Sequence, residues 1–329
     1  MAKKGFEVQL EALDRLSEQP VAEWIEPLRA ALRQRYNYVV AKAADLAARQ
    51  RLVELTPDLL AAFDRFFEDA VKSDPQCWAK NAISRALAAF ELQDAAPFLR
   101  GLRHVQLERV WGGRSDTAGT LRGTCALALV QCRDIPEVQL LRHLITALAD
   151  ADKGVRADAV RAIEQVGSPA ASLLLRLRAE IGSESDKNEP EIPGACYAAV
   201  LRLDGNAALE WAAKFLEGED DASGEAALAI AATHSPEAFA LLRDRWNKSP
   251  DVWFSSVLLS AIALTRQSEA TEFLLSMVER EAMRADQAIE ALLRSMPSDD
   301  TVQRLKVLAS RNARLERVFA ENLKATARR

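Results

Sequence analysis

Along residues 136–175, PEVQLLRHLITALADADKGVRADAVRAIEQVGSPAASLLL, apolar and polar positions alternate at a helical period. From Val138 the apolar residues fall at Val138, Leu141, Leu144, Ile145 and Leu148. That i, i+3, i+7 spacing predicts one buried stripe on one helix. Pro136 suits a first helical turn, where its missing N–H would have no partner. Asp150, Asp152 and Gly154 interrupt the pattern with a sharp polar turn. A second helix follows, with Val155, Ala159, Ala162, Ile163 and Val166 on one face and Gly167 at its end. Two such helices cannot enclose a core, so the chain must repeat them.

Repetition is present. Counted from the start of the first helix of each pair, the anchors are Ala22, Leu59, Ala96, Val138, Ala171, Ala208, Ala238, Ala270 and Val302. The steps between them are 37, 37, 42, 33, 37, 30, 32 and 32 residues. The second helices align as VRADAVRAI (155–163), AKNAISRAL (79–87), LRGTCALAL (121–129), IPGACYAAV (192–200), ASGEAALAI (222–230) and FSSVLLSAI (254–262). Each block ends in a small residue followed by an apolar one, as close helix packing requires. The tile from Asp152 to Gly167 resembles a HEAT repeat of the short bacterial kind, and at the level of pattern the resemblance runs over about residues 20–310.

That resemblance implies an all-α fold: a right-handed α-solenoid of stacked antiparallel helix pairs, with about eight to nine armadillo-like repeats. Residues 1–329 would form a single elongated domain. Residues 1–19 would cap one end and residues 311–329 the other, the latter with Leu315, Val318, Phe319 and Leu323 on one face. Near the start, Pro27 either bends a helix that begins at Pro20 or marks its true beginning. The longest step places extra residues at WGGRSD (111–116), where Gly112-Gly113 predicts a flexible turn. A polar segment, GSESDKNEPEIPG (182–194), interrupts one repeat between its two helices as either an exposed loop or a contact element. Trp246 and Trp253 flank a turn and are expected to pack between repeats.

Composition adds bounds. No apolar run reaches the ~18–20 residues of a membrane-spanning helix, and the start of the chain has no signal-peptide core; a cytoplasmic protein is expected. Cys77, Cys125, Cys132 and Cys196 form no CxxC and read as small core residues. Residues 201–300 hold 9 Lys and Arg against 18 Asp and Glu, and residues 301–329 hold 8 against 2. The overall charge of −5 disfavours a nucleic-acid partner.

A search for chemistry finds no HExxH, GxSxG, GxxxxGK[ST] or GxGxxG, and His104, His143 and His234 lie in three different repeats. No catalytic residue, cofactor or metal site is expected. Lys80, Arg122 and Arg156 hold one offset in three successive second helices. They predict a structural ladder, since in HEAT-like repeats the equivalent Arg resembles a partner for the turn Asp of a neighbouring unit, here Asp74, Asp116 or Asp152. Five residues on, Arg85 and Arg161 share an offset that should project from the inner helical layer, with Leu127 and Leu228 in the same place elsewhere. The expected function is a non-catalytic scaffold or adaptor that binds a protein or peptide along a concave face. The alternatives carried by scaffold resemblance are a HEAT-like alkylpurine DNA glycosylase and a bilin lyase-like factor.

Overall fold

The computed structural model describes residues 2–182 and 188–326. The chain gathers into two compact units, Met1–Val166 and Gly167–Arg329. The first contains α1 (Ala2–Arg15), α2 (Ile25–Leu32), α3 (Asn37–Arg49), α4 (Thr56–Arg65), α5 (Ala70–Ser73), α6 (Trp78–Ala89) and α7 (Ala96–Leu102). A hairpin of β1 (Leu107–Val110) and β2 (Gly113–Asp116) follows, then α8 (Gly119–Leu129), α9 (Glu137–Leu148) and α10 (Lys153–Val166). Here α3, α6, α8 and α10 pack side by side. They are backed in turn by α2, α4, α7 and α9, and α1 packs on α3.

The second unit contains α11 (Pro169–Ile181), α12 (Glu191–Asp204), α13 (Leu209–Ala213), α14 (Asp221–Ala231), α15 (Pro236–Lys248), α16 (Val252–Leu264), α17 (Ser268–Glu279), α18 (Ala285–Arg294), α19 (Asp299–Ala309) and α20 (Ala313–Thr326). Again the even-numbered helices α12, α14, α16, α18 and α20 contact one another in succession, and each odd-numbered helix packs on the one that follows it. The fold is helical in both units, with one two-stranded sheet among the described residues.

Burial follows the second-helix alignment closely. The last residues of the six blocks, Leu87, Leu129, Ile163, Val200, Ile230 and Ile262, are all fully buried. So are Ile83, Cys125, Ala159, Cys196, Ala226 and Leu258, four residues earlier. The small residues between them allow helix backbones to approach: a side chain on Gly101 of α7 would strike Sγ of Cys125 on α8. All four cysteines are buried and unpaired by disulfides.

Several expectations change. In α9 the buried face is Leu140, Leu141, Leu144, Ala147 and Leu148, whereas Val138 and Ile145 are exposed. The first-helix anchors Ala22, Ala96 and Val138 likewise face solvent, while Ala171, Ala208, Ala238 and Ala270 are buried. The register is thus uneven: Leu59 is also fully buried and Val302 only partly so, and near Ala96 and Val138 the buried residues are Phe98 and Leu140. Pro27 lies in the first turn of α2, where it costs no hydrogen bond. WGGRSD forms the turn and second strand of the β1–β2 hairpin, with Leu107 opposite Asp116 and Val110 opposite Gly113. In the polar interruption, α12 already begins at Glu191, so Ile192, Pro193 and Gly194 are buried helix residues; residues 183–187 lie outside the described residues. Trp246 packs on Phe273 at 5.5 Å, and Trp253 lies near Phe254 and stays half exposed. In α20, Leu315 and Phe319 are buried and Leu323 is exposed.

The side-by-side helices share one further device. Most end on a left-handed residue: Arg51 after α3, Glu91 after α6, Gly167 after α10, Gly205 after α12, His234 after α14, Arg266 after α16 and Met296 after α18. Such a residue reverses the chain sharply, and only glycine adopts it without steric cost. Met296, with φ 55 and a side chain in solvent, carries that cost without compensating contacts. Met296→Gly should therefore raise stability by about 0.5–1 kcal/mol, the steric cost less the extra unfolded-state entropy of glycine. Urea unfolding of the full chain checks this, and a destabilised variant would show that the Met296 side chain is held by its surroundings.

Candidate functional site

Position two of each second-helix block is buried. Lys80 is fully buried and pairs with Asp74 at 3.1 Å, and its ammonium also donates to the Phe66 carbonyl at 3.1 Å. Asp74 in turn accepts from the backbone N–H groups of Ala79 and Lys80, and from Asn37. Arg122 donates to Asp116 at 2.6 Å and to both oxygens of Asp150, at 2.7 and 2.9 Å. Arg156 donates to the carbonyls of Asp150 and Ala151. The sequence pattern anticipates partners in neighbouring turns; the geometry differs in detail. Lys80 and Arg122 each hold the acid of their own turn, and Arg122 also spans to the next turn, through Asp150 rather than Asp152. Asp152 instead accepts from the Val155 N–H. In the second unit the same position is Ser223 and Ser255, both buried, and Ser223 donates to Asp220 at 2.9 Å.

Position seven faces outward. Arg85 on α6 and Arg161 on α10 are exposed, Leu127 on α8 between them is partly exposed, and Leu228 on α14 is exposed in the second unit. In the first unit Arg85, Leu127 and Arg161 therefore lie on one face of three adjoining helices. Arg85 pairs with Asp45 of α3 at 3.0 Å, and Arg161 with Asp158 of its own helix at 3.0 Å. Both pairs are solvent-exposed, so they are weak and readily exchanged for other partners.

On that face lies an open hollow of about 410 Å³ between α3 and α6, lined by Tyr38, Lys42, Asp45, Arg49, Trp78 and Arg85 among others. Trp78 and Asn81 also line a second hollow of about 440 Å³, between α6 and the hairpin. The two hollows thus adjoin at Trp78 and Asn81, and together they are termed the groove. Where they meet, the rings of Tyr38 and Trp78 lie 5.1 Å apart, each about half exposed. Arg85 belongs to this groove; Leu127, Arg161 and Leu228 do not line either hollow. Neither Tyr38 nor Trp78 carries a sequence signal that separates it from a core aromatic. The hairpin does: two short runs around a Gly-Gly pair are a hairpin pattern.

The groove floor is built from strained backbone. Gln76 and Cys77, two successive non-glycine residues, have φ 60 and 53. Such conformations persist only where the surroundings impose them. Here Asp74 gathers the N–H groups that follow, and Glu108 of β1 accepts from the Gln76 N–H at 2.6 Å. Glu108 also accepts from Gln106 and Thr117, each at 2.7 Å. At the hairpin base Asp116 accepts from the N–H groups of Gln106 and Ala118, and from Arg122. Burial works to raise the pKa of Glu108, but the bonds from Thr117, Gln106 and Gln76, with Lys80 nearby, hold it below the usual carboxylate range. Asp116 is likewise lowered: burial opposes, and its two backbone donors and Arg122 prevail. Burial pushes the Cys77 thiol up to about 11, so it is protonated at neutral pH and unsuited to attack as a thiolate. Among the described residues no group of three His, Cys, Asp or Glu side chains is placed to hold a metal ion, and no helix is long and apolar enough to cross a membrane. No protein-family model matches the chain, and no curated protein matches it.

Two outcomes follow from this network. Asp74→Ala strands a fully buried ammonium, and should cost roughly 3–5 kcal/mol in urea unfolding, whereas the double variant Asp74→Asn, Lys80→Met, which removes both charges, should cost less. A single-variant loss below about 1 kcal/mol would show that Lys80 finds other acceptors. The second concerns acid. Because Glu108 is held charged below its unfolded pKa, its contribution is complete above the ordinary carboxylate range and is lost as pH falls through the lower folded value. Thermal unfolding followed from pH 7 to about pH 3 should show a steeper decline in the native chain than in Glu108→Gln. Parallel curves would mean that Glu108 does not report on hairpin attachment.

Proposed function

We propose that each unit is a run of right-handed α-solenoid repeats of HEAT-like type, and that the protein is a non-catalytic scaffold that binds a protein or peptide along the side-by-side helices of its first unit. The observation that carries this is the pair of adjoining hollows over α3, α6 and the hairpin, with Tyr38 and Trp78 half exposed between them. An exposed aromatic pair supplies large contact area at low conformational-entropy cost, as interface anchors do. Its flanks bear exposed ion pairs, Arg85 with Asp45 and Lys42 with Asp14, which give a partner both signs of charge to engage at little cost in broken bonds. Second-layer helices face the concave side in such stacks, which is where peptide ligands dock on repeat proteins.

The test is site-specific photocrosslinking on the full chain. A crosslinking side chain placed at Asn81 or Arg85 in the groove should capture a reproducible protein partner, while one placed at exposed Gln303 on α19 should not. Trp78→Ala should lower that capture at least tenfold with unchanged circular dichroism. Equal capture at the three positions, or indifference to Trp78→Ala, would overturn the groove as a binding site.

A further inference from the structure

The β1–β2 hairpin interrupts the helical plan at the longest step of the repeat, and its surface is costly as it stands. Trp111 at its tip is fully exposed, and Val105, Leu107 and Val110 are each about half exposed. Arg109 lies directly opposite Arg114 across the two strands, with both side chains exposed. Opposed residues of an antiparallel pair project to the same side, so the two guanidiniums repel, and like charges in this position destabilise a hairpin. No ion pair to either arginine occurs among the described residues. Nearby acids are engaged elsewhere: Glu108 by three donors and Asp116 by Arg122 and two backbone N–H groups. Those same bonds fix the base of the hairpin to α6 and α8, so the tip is presented by a firmly anchored stem. The hairpin also walls the hollow beside α6, where the Glu108–Ser115 pair faces inward, so the Arg109–Arg114 pair projects from its other face.

From this arrangement we infer that the outer face of the hairpin captures an acidic peptide segment: a carboxylate bridging Arg109 and Arg114, beside a large apolar side chain that covers Trp111. One carboxylate placed between two guanidiniums turns their repulsion into two charge-assisted hydrogen bonds. An apolar neighbour removes the tryptophan face from water. A peptide fits this site better than a nucleic acid does. Strand binding needs clustered cations along a backbone path, whereas the hairpin offers two arginines and the hollows beside it add Glu108, Asp45 and Asp14. The inference rests on the peptide-binding reading and adds the chemistry of the partner.

The experiment uses the full chain and three sets of immobilised 12-residue peptides, each containing Leu and Phe, with flanking residues that are Asp and Glu, Ser, or Lys. A 12-nucleotide single strand of DNA serves as the fourth probe. The native chain should bind the acidic set at least tenfold more tightly than the serine set, and the lysine set least. The double variant R109E/R114E should lose at least tenfold on the acidic set and gain on the lysine set, and Trp111→Ser should weaken all sets that it binds. Because these side chains are exposed, the variants should keep the native unfolding temperature, which is measured alongside. Acidic binding within twofold of the serine set, retention of acidic binding by R109E/R114E, or tighter binding of the DNA strand would each overturn the inference. Parallel assays with Trp78→Ala separate the two claims. Loss there with no effect of the hairpin variants overturns the hairpin site and leaves the groove standing, and the reverse leaves the hairpin site standing without the groove.

Discussion

A buried cation at the start of a helix constrains everything around it. Lys80 has no access to water, and Arg122 and Arg156 have almost none. A charge in that position is tolerable only if an acid or several carbonyls are brought to it, because removing its hydration costs several kcal/mol. The turn before each helix supplies them: Asp74 for Lys80, Asp116 for Arg122, and the carbonyls of Asp150 and Ala151 for Arg156. The turn cannot then move against the helix that follows it. In Arg122 the same charge also reaches Asp150 in the turn between the two helices of the next pair, so one guanidinium sets the spacing of two successive turns. Burial acts to lower the Arg122 pKa, and the two carboxylates outweigh it. Fixing position two inward also decides position seven. Five residues is about 500° of helical rotation, or roughly 140° from the starting direction, which turns Arg85 and Arg161 to solvent.

That geometry explains what could be read from the sequence. The second helices have neighbours on both sides as well as behind them, so their apolar pattern is broad and rigidly periodic. Small residues recur at Ala86, Ala128, Ala162, Ala199, Ala229 and Ala261, and an alignment on them places every block correctly. The outer helices are packed on fewer sides, so a shift of one or two residues still finds an apolar side chain to bury. Val138 and Ile145 therefore match a helical stripe as well as Leu140 and Ala147 do, and only contacts decide between them. The left-handed helix ends were hidden for another reason. Gly167 and Gly205 announce theirs, but Arg51, Glu91, His234, Arg266 and Met296 adopt the same backbone without the residue that usually signals it.

The groove was legible only in part, and the reason is again physical. Arg85 could be assigned to solvent from its offset alone. Tyr38 and Trp78 could not be told from core aromatics, since their exposure depends on the space left between α3 and α6 and on the hairpin beyond. The strained Gln76–Cys77 turn depends on Glu108, more than thirty residues away in sequence. No local pattern encodes a bond of that range. The Gly-Gly pair did encode the hairpin, but a helical repeat as the working frame turns such a pair into a loop.

The hairpin and the buried cations are linked through one carboxylate. Asp116 is the last residue of β2 and also the acid that Arg122 holds. The insertion is therefore joined to the helical stack at the residue that neutralises a buried charge, and not through a free linker. Its stem inherits the rigidity of that pair, while its tip gains no contact from it: Trp111 touches water on all sides. A rigid stem lowers the entropy lost when the tip is covered. It also means that a change at the tip, where exposed side chains carry no structural load, leaves the helix spacing set by Arg122 intact. Binding preference and fold can thus vary separately at this one insertion.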